Sequence, residues 1–74
     1  MPRLRVLSGG DVCKIMAQHG FREVRRKGSH IIMQKNIGRS TITVPVPDHA
    51  ELKIGTLLGI IRQSGLSRSL FETD

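Results

Sequence analysis

Between residues 21 and 44 three strand-like segments follow one another with nothing longer than a tight turn between them. Residues 21–26 read as the first strand, and Gly28 makes the turn out of it. Residues 30–35, rich in β-branched side chains, read as the second. Asn36-Ile37-Gly38 is the next turn, and residues 40–44, Ser-Thr-Ile-Thr-Val, alternate polar and apolar as a third strand. Strands joined this closely pair antiparallel, because parallel neighbours need a long crossover. The segment therefore predicts a three-stranded antiparallel meander. Pro45 and Pro47 are expected to end the third strand, since neither can donate to a ladder. On that strand Ile42 and Val44 face the core, and Thr41 and Thr43 face away. On the second strand Ile31, Ile32 and Met33 are all apolar, so the pattern does not tell its two faces apart. His30 shares a face with Ile32 and Gln34, and the sequence leaves open whether that face is covered.

Helical periodicity flanks the meander on both sides. Ser8 can cap a helix, with Asp11 three residues on in the place of a capping-box acid. Val12, Ile15, Met16 and His19 follow at helical spacing, and Gly20 is expected to stop the helix. His19 reads as a structural residue near the helix end, where the dipole favours a cationic imidazole. The second helix is expected over residues 52–64, with Ile54, Leu57, Leu58 and Ile61 as its apolar stripe. Gly55 and Gly59 cost helix propensity, which suggests close packing on the sheet. Gly65 terminates this helix, and residues 67–72 can add one more turn. Two amphipathic helices must cover one face of the sheet, so the fold class is α+β, a two-layer sandwich in the order α-β-β-β-α.

Size and composition narrow the function classes. A chain of 74 residues is one small domain with a thin core. Its single cysteine, Cys13, precludes an internal disulfide framework, and a reducing cytoplasm is the expected compartment. No apolar run is long enough to span a bilayer. Phe21 and Phe71 are the only aromatic residues, which makes stacking of bases on aromatic platforms a poor model for any RNA binding.

Charge is concentrated. Residues 22–39 hold Arg22, Arg25, Arg26, Lys27, Lys35 and Arg39 against the single acid Glu23, which is a net +5 of the chain's formal +6. Such a patch is an electrostatic footprint for phosphates or for an acidic protein. Within it Gly28-Ser29-His30 places an imidazole just past a tight turn, at the mouth of a strand. A cationic neighbourhood attracts phosphate and an imidazole can move protons near neutral pH, so the arrangement is a candidate for chemistry on nucleic acid.

The words of this sequence, in their order, resemble the HicA family of toxin endoribonucleases, the mRNA interferases of type II toxin–antitoxin systems. The matching residues are Gly20-Phe21, Lys27-Gly28-Ser29-His30, Gly38-Arg39 and Thr41-Ile42-Thr43-Val44-Pro45. They continue with His49, Leu52-Lys53, Gly55-Thr56-Leu57 and Ile60-Ile61-Arg62-Gln63-Ser64-Gly65-Leu66-Ser67. Each is weak alone; their order and spacing together are specific. The resemblance implies one HicA-like domain over residues 1–74 with a double-stranded-RNA-binding-domain-like fold. It implies that His30 is the catalytic histidine and that a HicB-type antitoxin masks the site. Between Pro45 and His49 the chain carries Val46-Pro47-Asp48, a segment in which the family varies.

RNA supplies its own nucleophile, the 2′-OH, so a metal and a cofactor are not expected. What such cleavage needs is a proton acceptor, groups that neutralise the phosphate, and alignment. His30 can take the 2′-OH proton or protonate the leaving 5′-oxygen. The N–H groups around Gly28 and Ser29 can hold a phosphate oxygen in a nest. Lys27 and Arg39, on the turns flanking the second strand, can neutralise charge on the phosphate or merely steer it. His49 reads as a loop histidine packed against the second helix, with a second acid/base role as the alternative. Three scattered histidines beside one cysteine do not make a zinc site, and Asp48 and Glu51 do not make a magnesium centre. Ser29 lacks the base and the orienting group a nucleophile needs. The expected partners are RNA and an antitoxin. A non-catalytic RNA-binding module of the same fold is the alternative function.

Overall fold

A computed structural model describes residues 2–73. In chain order it holds strand β1 (Arg3–Leu4), helix α1 (Gly9–Ala17), strands β2 (Arg22–Lys27), β3 (His30–Ile37) and β4 (Ser40–Pro47), and helix α2 (Ile54–Ser64). A 3₁₀ turn (Arg68–Phe71) and strand β5 (Glu72–Thr73) complete it. Strands β2, β3 and β4 pair antiparallel in that order. Val12 and Met16 of α1 and Leu57, Ile60 and Ile61 of α2 share one apolar core with Ile31, Met33, Val44 and Val46 of the sheet. Both helices thus cover the same face, giving the expected α+β two-layer sandwich, consistent with a double-stranded-RNA-binding-domain-like fold.

Local chemistry sets the start of α1. The Ser8 hydroxyl accepts from the Asp11 N–H at 3.0 Å, and the Asp11 carboxylate accepts from the Ser8 N–H at 3.1 Å. This capping box satisfies two otherwise orphaned donors. Hydrogen bonding by Ser8, through its backbone N–H first and its side chain second, holds the Asp11 carboxyl below its usual range. The helix ends earlier than its apolar spacing suggests: Gln18 is the C-cap, and Gly20, at φ +95°, turns the chain toward β2.

Gly9, rather than Gly55 or Gly59, is the glycine required by close packing. A Cβ on Gly9 would sit 2.1 Å from the carbonyl oxygen of Pro47, while one on Gly55 or Gly59 would meet nothing within 4 Å. The first turn of α1 therefore lies directly on the end of β4. The Gly9 N–H also donates to the His49 carbonyl at 2.9 Å, and the Leu52 N–H donates to the Leu7 carbonyl at 2.8 Å. These bonds fasten the segment after β4 to the segment before α1.

Pro45 and Pro47 do not end the third strand. Pairing runs without a break from Ser40 opposite Ile37 to Pro47 opposite His30. The reason is position: β4 is an edge strand, and two prolines two residues apart present their nitrogens to the same, open side, where no ladder bond is lost.

Helix α2 begins at Ile54, two residues later than expected, and its buried arc is turned from the expected stripe. Leu57, Ile60, Ile61 and Ser64 are buried; Leu58 is half-buried and Ile54 is 56% exposed. Ser64 fits inside because its hydroxyl donates to the Ile61 carbonyl at 3.0 Å and accepts the Leu66 N–H at 3.2 Å. The 3₁₀ turn carries Phe71 fully into the core, a side chain whose removal costs about 3–5 kcal/mol in comparable settings. Two-residue strands β1 and β5, with Arg3 opposite Thr73 and Leu4 opposite Glu72, tie the two ends of the fold together. Segments this short carry no periodicity and were not foreseeable.

Candidate active site on the open face of the sheet

The register settles which way His30 points. Ile31 and Met33 belong to the core under the helices, so His30, Ile32 and Gln34 between and beside them face the other way. Gln34 confirms the parity by donating to the hydroxyl of its cross-strand partner Thr43 at 3.1 Å. This face has no helix over it, and no cavity forms on it among the described residues. A ligand must be laid on the surface.

The turn between β2 and β3 is two residues long, Gly28-Ser29. Gly28 has φ +59° and none of the described non-glycine residues has positive φ, which is the pattern of a type II′ turn with glycine at its first central position. A Cβ there would touch nothing within 4 Å, so the requirement is conformational and not one of space. Among the described residues the N–H groups of Gly28 and Ser29 donate to no protein acceptor. The Ser29 carbonyl accepts from the Asp48 N–H at 2.7 Å, which extends the sheet past its last pair and fixes the turn.

His30 is exposed and makes no side-chain hydrogen bond among the described residues. On the sheet it lies between Lys27 of β2 and Pro47 of β4, both directly opposite it. One pair further along, Ile32 lies between Arg25 and Pro45 and is 8% exposed, although it is outside the core.

Four cations crowd β2, and the register sorts them. Lys27, Arg25 and Arg22 pair with His30, Ile32 and Gln34, so all three face the open side. Arg26 pairs with Ile31 and points to the helix side. There its guanidinium meets Asp48 at 2.9 Å and Glu23 at 3.4 Å. Those carboxylates, Asp48 first, hold the Arg26 guanidinium in its charged form more firmly than usual. Arg22 and Arg25 are three apart and would face opposite ways in a regular strand. A bulge between Glu23 and Arg25 leaves Val24 unpaired and brings them to one face. Among the described residues of the three strands Glu23 is the one carboxylate, and its pairing with Met33 keeps it on the helix side. The open face is therefore basic without an acid.

The structure separates residues that the sequence grouped. Lys27, Gly28, Ser29 and His30 come together at one end of the sheet. Arg39 lies on the β3–β4 turn at the other end, roughly 23 Å from His30 along β3 at the usual rise per residue. It cannot share a phosphate with His30. His49 follows β4 near the His30 end, but its side chain is exposed and not packed under α2; its backbone carbonyl makes the tie to Gly9. His19 is half-buried just past the end of α1. Sequence reasoning placed Arg22 and Arg25 in the basic segment around His30 but not on one face with Lys27, because the bulge that aligns them has no signature in the chain.

Among the described residues no three His, Cys, Asp or Glu side chains gather at metal-ligating range. Among them no helix is long and apolar enough to cross a membrane. The comparisons with known proteins bear on the same elements. No curated protein and no solved structure matches. The family model described as the HicA toxin of bacterial toxin-antitoxin matches residues 9–66 of the 74-residue chain, a span that takes in both helices, the whole three-stranded sheet and the Gly28-Ser29-His30 turn. The chain belongs to the HicA family of bacterial toxins.

Proposed function

We propose that this toxin is an endoribonuclease, an mRNA interferase, in which His30 carries the proton transfers of RNA cleavage. The observation that carries the reading is the place of His30: exposed, on an acid-free basic face, level with Lys27 and one residue past two unengaged backbone N–H groups. A phosphate seated on the Gly28 and Ser29 N–H groups has Lys27 and His30 beside it. His30 accepts the proton of the 2′-OH as its oxygen attacks phosphorus. The bond from phosphorus to the 5′-oxygen breaks, and the leaving oxygen takes a proton from the imidazolium or from water. The products are a 2′,3′-cyclic phosphate and a 5′-hydroxyl. Lys27 and the N–H pair offset charge on the non-bridging oxygens. One histidine without an orienting carboxylate serves both proton steps in turn, which fits modest turnover.

The substrate on this reading is messenger RNA and the place of action the cytoplasm. The inhibitor is a HicB-type antitoxin that covers the basic face and His30 together. The decisive experiment is RNA cleavage by the purified chain against its His30→Ala variant. Cleavage lost in a folded variant supports the reading. RNA binding without cleavage by the parent chain would instead favour a non-catalytic binding module.

A further inference from the structure

We propose that β2 is a track for one single-stranded RNA, with the open-face side chains of Arg22, Arg25 and Lys27 each taking one phosphate and the strand ending at His30. This deepens the reading above by naming the form of the substrate and the side of the cut on which it is held.

The bulge at Val24 is the central observation. It spends one residue to bring Arg22 into line with Arg25 and Lys27, while Arg26 is turned away and held by Asp48 and Glu23. Same-face neighbours on a strand are separated by two residue rises, roughly 6.6 Å. The bulge keeps that step between Arg22 and Arg25. A ladder of cations at this interval is close to the spacing of successive phosphates on an extended single strand. The duplex presents its phosphates as two curved rows across a groove, a shape that one straight row of side chains on a flat sheet does not match. Phe21 and Phe71 are both buried, so no aromatic side chain is there to hold bases. The grip must come from the backbone of the RNA.

The row is one-sided. Lys27 stands level with His30, and Arg25 and Arg22 extend from it in one direction only. In the other direction the sheet stops at the Gly28-Ser29 turn. Nucleotides on one flank of the cleaved bond therefore contribute the phosphate contacts, and those on the other contribute few.

The test uses the intact chain and a single-stranded RNA of about a dozen nucleotides carrying a cleavage site mapped beforehand, with a 2′-deoxy residue at the cut. Binding is read by fluorescence anisotropy over a range of salt. Replacing Arg22 by Gln should flatten the slope of log affinity against log salt by about 0.7, the value for one lost phosphate contact on a single strand. Arg26→Gln should leave the slope unchanged. The same RNA annealed to its complement should bind more weakly. Trimming one flank to a single nucleotide should lower the slope by about two such contacts, and trimming the other should not. Equal slopes for Arg22→Gln and the parent, equal effects of Arg22→Gln and Arg26→Gln, full affinity for the duplex, or symmetric flanks would each overturn the track. These outcomes are separate from catalysis. A chain that binds an uncut RNA with the stated slopes but never cleaves any RNA would refute the nuclease reading and leave the track standing; its flanks would then be defined by the ends of the bound segment in footprinting.

Discussion

Lys27 and His30 stand directly opposite one another across the β2–β3 hairpin, on the face of the sheet that no helix covers. On the proposed function, this fixed cation and proton carrier seat the scissile phosphate at the hairpin end. Replacing His30 by Ala should leave the fold intact, because the ring is exposed and makes no side-chain hydrogen bond among the described residues. RNA cleavage should fall by at least about a hundredfold, the lower range for loss of a general acid–base. Far-UV circular dichroism, gel-resolved cleavage and growth arrest on expression check this together. A folded variant cutting at the parental rate would refute the role of His30.

On the proposed function cleavage should persist in excess EDTA, since RNA carries its own nucleophile and His30 and Lys27 would supply proton transfer and charge. A single 2′-deoxy substitution at the cut should block the reaction, and end-group analysis should find a 2′,3′-cyclic phosphate or its hydrolysis product. Recovery of activity only on adding a divalent ion would show that the chemical step runs differently.

Antitoxin and RNA should compete for one surface. Arg25→Glu with Lys27→Glu reverses two of the three open-face cations of β2, and it should weaken binding of both the RNA and a HicB-type partner. The association rate with the partner should drop as salt rises, as for steered encounters of opposite charge. A partner found to bind only the helix layer, with His30 left accessible, would require another account of inhibition.

Gly9→Ala should be among the most damaging single changes outside the apolar core. The added methyl has nowhere to go, with the Pro47 carbonyl oxygen 2.1 Å from its position. Parting α1 from the end of β4 should cost about 1–3 kcal/mol, the range for overpacking, and shows as a lowered Tm. Gly55→Ala or Gly59→Ala should be neutral or stabilising, because each methyl enters open space within a helix.

Cys13 should be a sluggish thiol. Burial first, and the Glu23 carboxylate second, push its pKa from 9.0 to about 11. Alkylation by iodoacetamide at mildly alkaline pH should be on the order of a hundredfold slower in the folded chain than in urea. The sign for stability follows from the raised value. Cys13's contribution is fully present below its ordinary value of 9.0 and is lost progressively as pH rises to about 11. Cys13→Ser should flatten the stability profile in that window.

The order of elements was legible because each signal there is local. The Ser8–Asp11 capping box and the alternation of Ile42 and Val44 with threonines act over a few residues, and they read true. What failed depends on neighbours distant in sequence. The side to which His30 points is fixed by the register with β2 and β4, not by the apolar triplet Ile31-Ile32-Met33. The alignment of Arg22 with Arg25 rests on one unpaired residue. Pro45 and Pro47 look like strand breakers until β4 is known to be an edge. The glycine that matters for packing is distinguished from two that do not only by the approach of Pro47. Arg39 shows the same limit from the other side: adjacent turns in sequence are opposite ends of a hairpin in space.

The two prolines of β4 give the sheet a direction. A fourth strand laid along that edge would face nitrogens without hydrogens at 45 and 47. A second copy added there would lack two ladder donors, and two β2 edges would bring like charges together. Of the two edges of the three-stranded sheet, that of β2 is therefore the one without proline, and its cations favour an extended segment that brings negative side chains. An inhibitor that approached by strand addition would have its docking side and its sign of charge dictated by this asymmetry, and its own side chains would reach over the row of arginines toward His30.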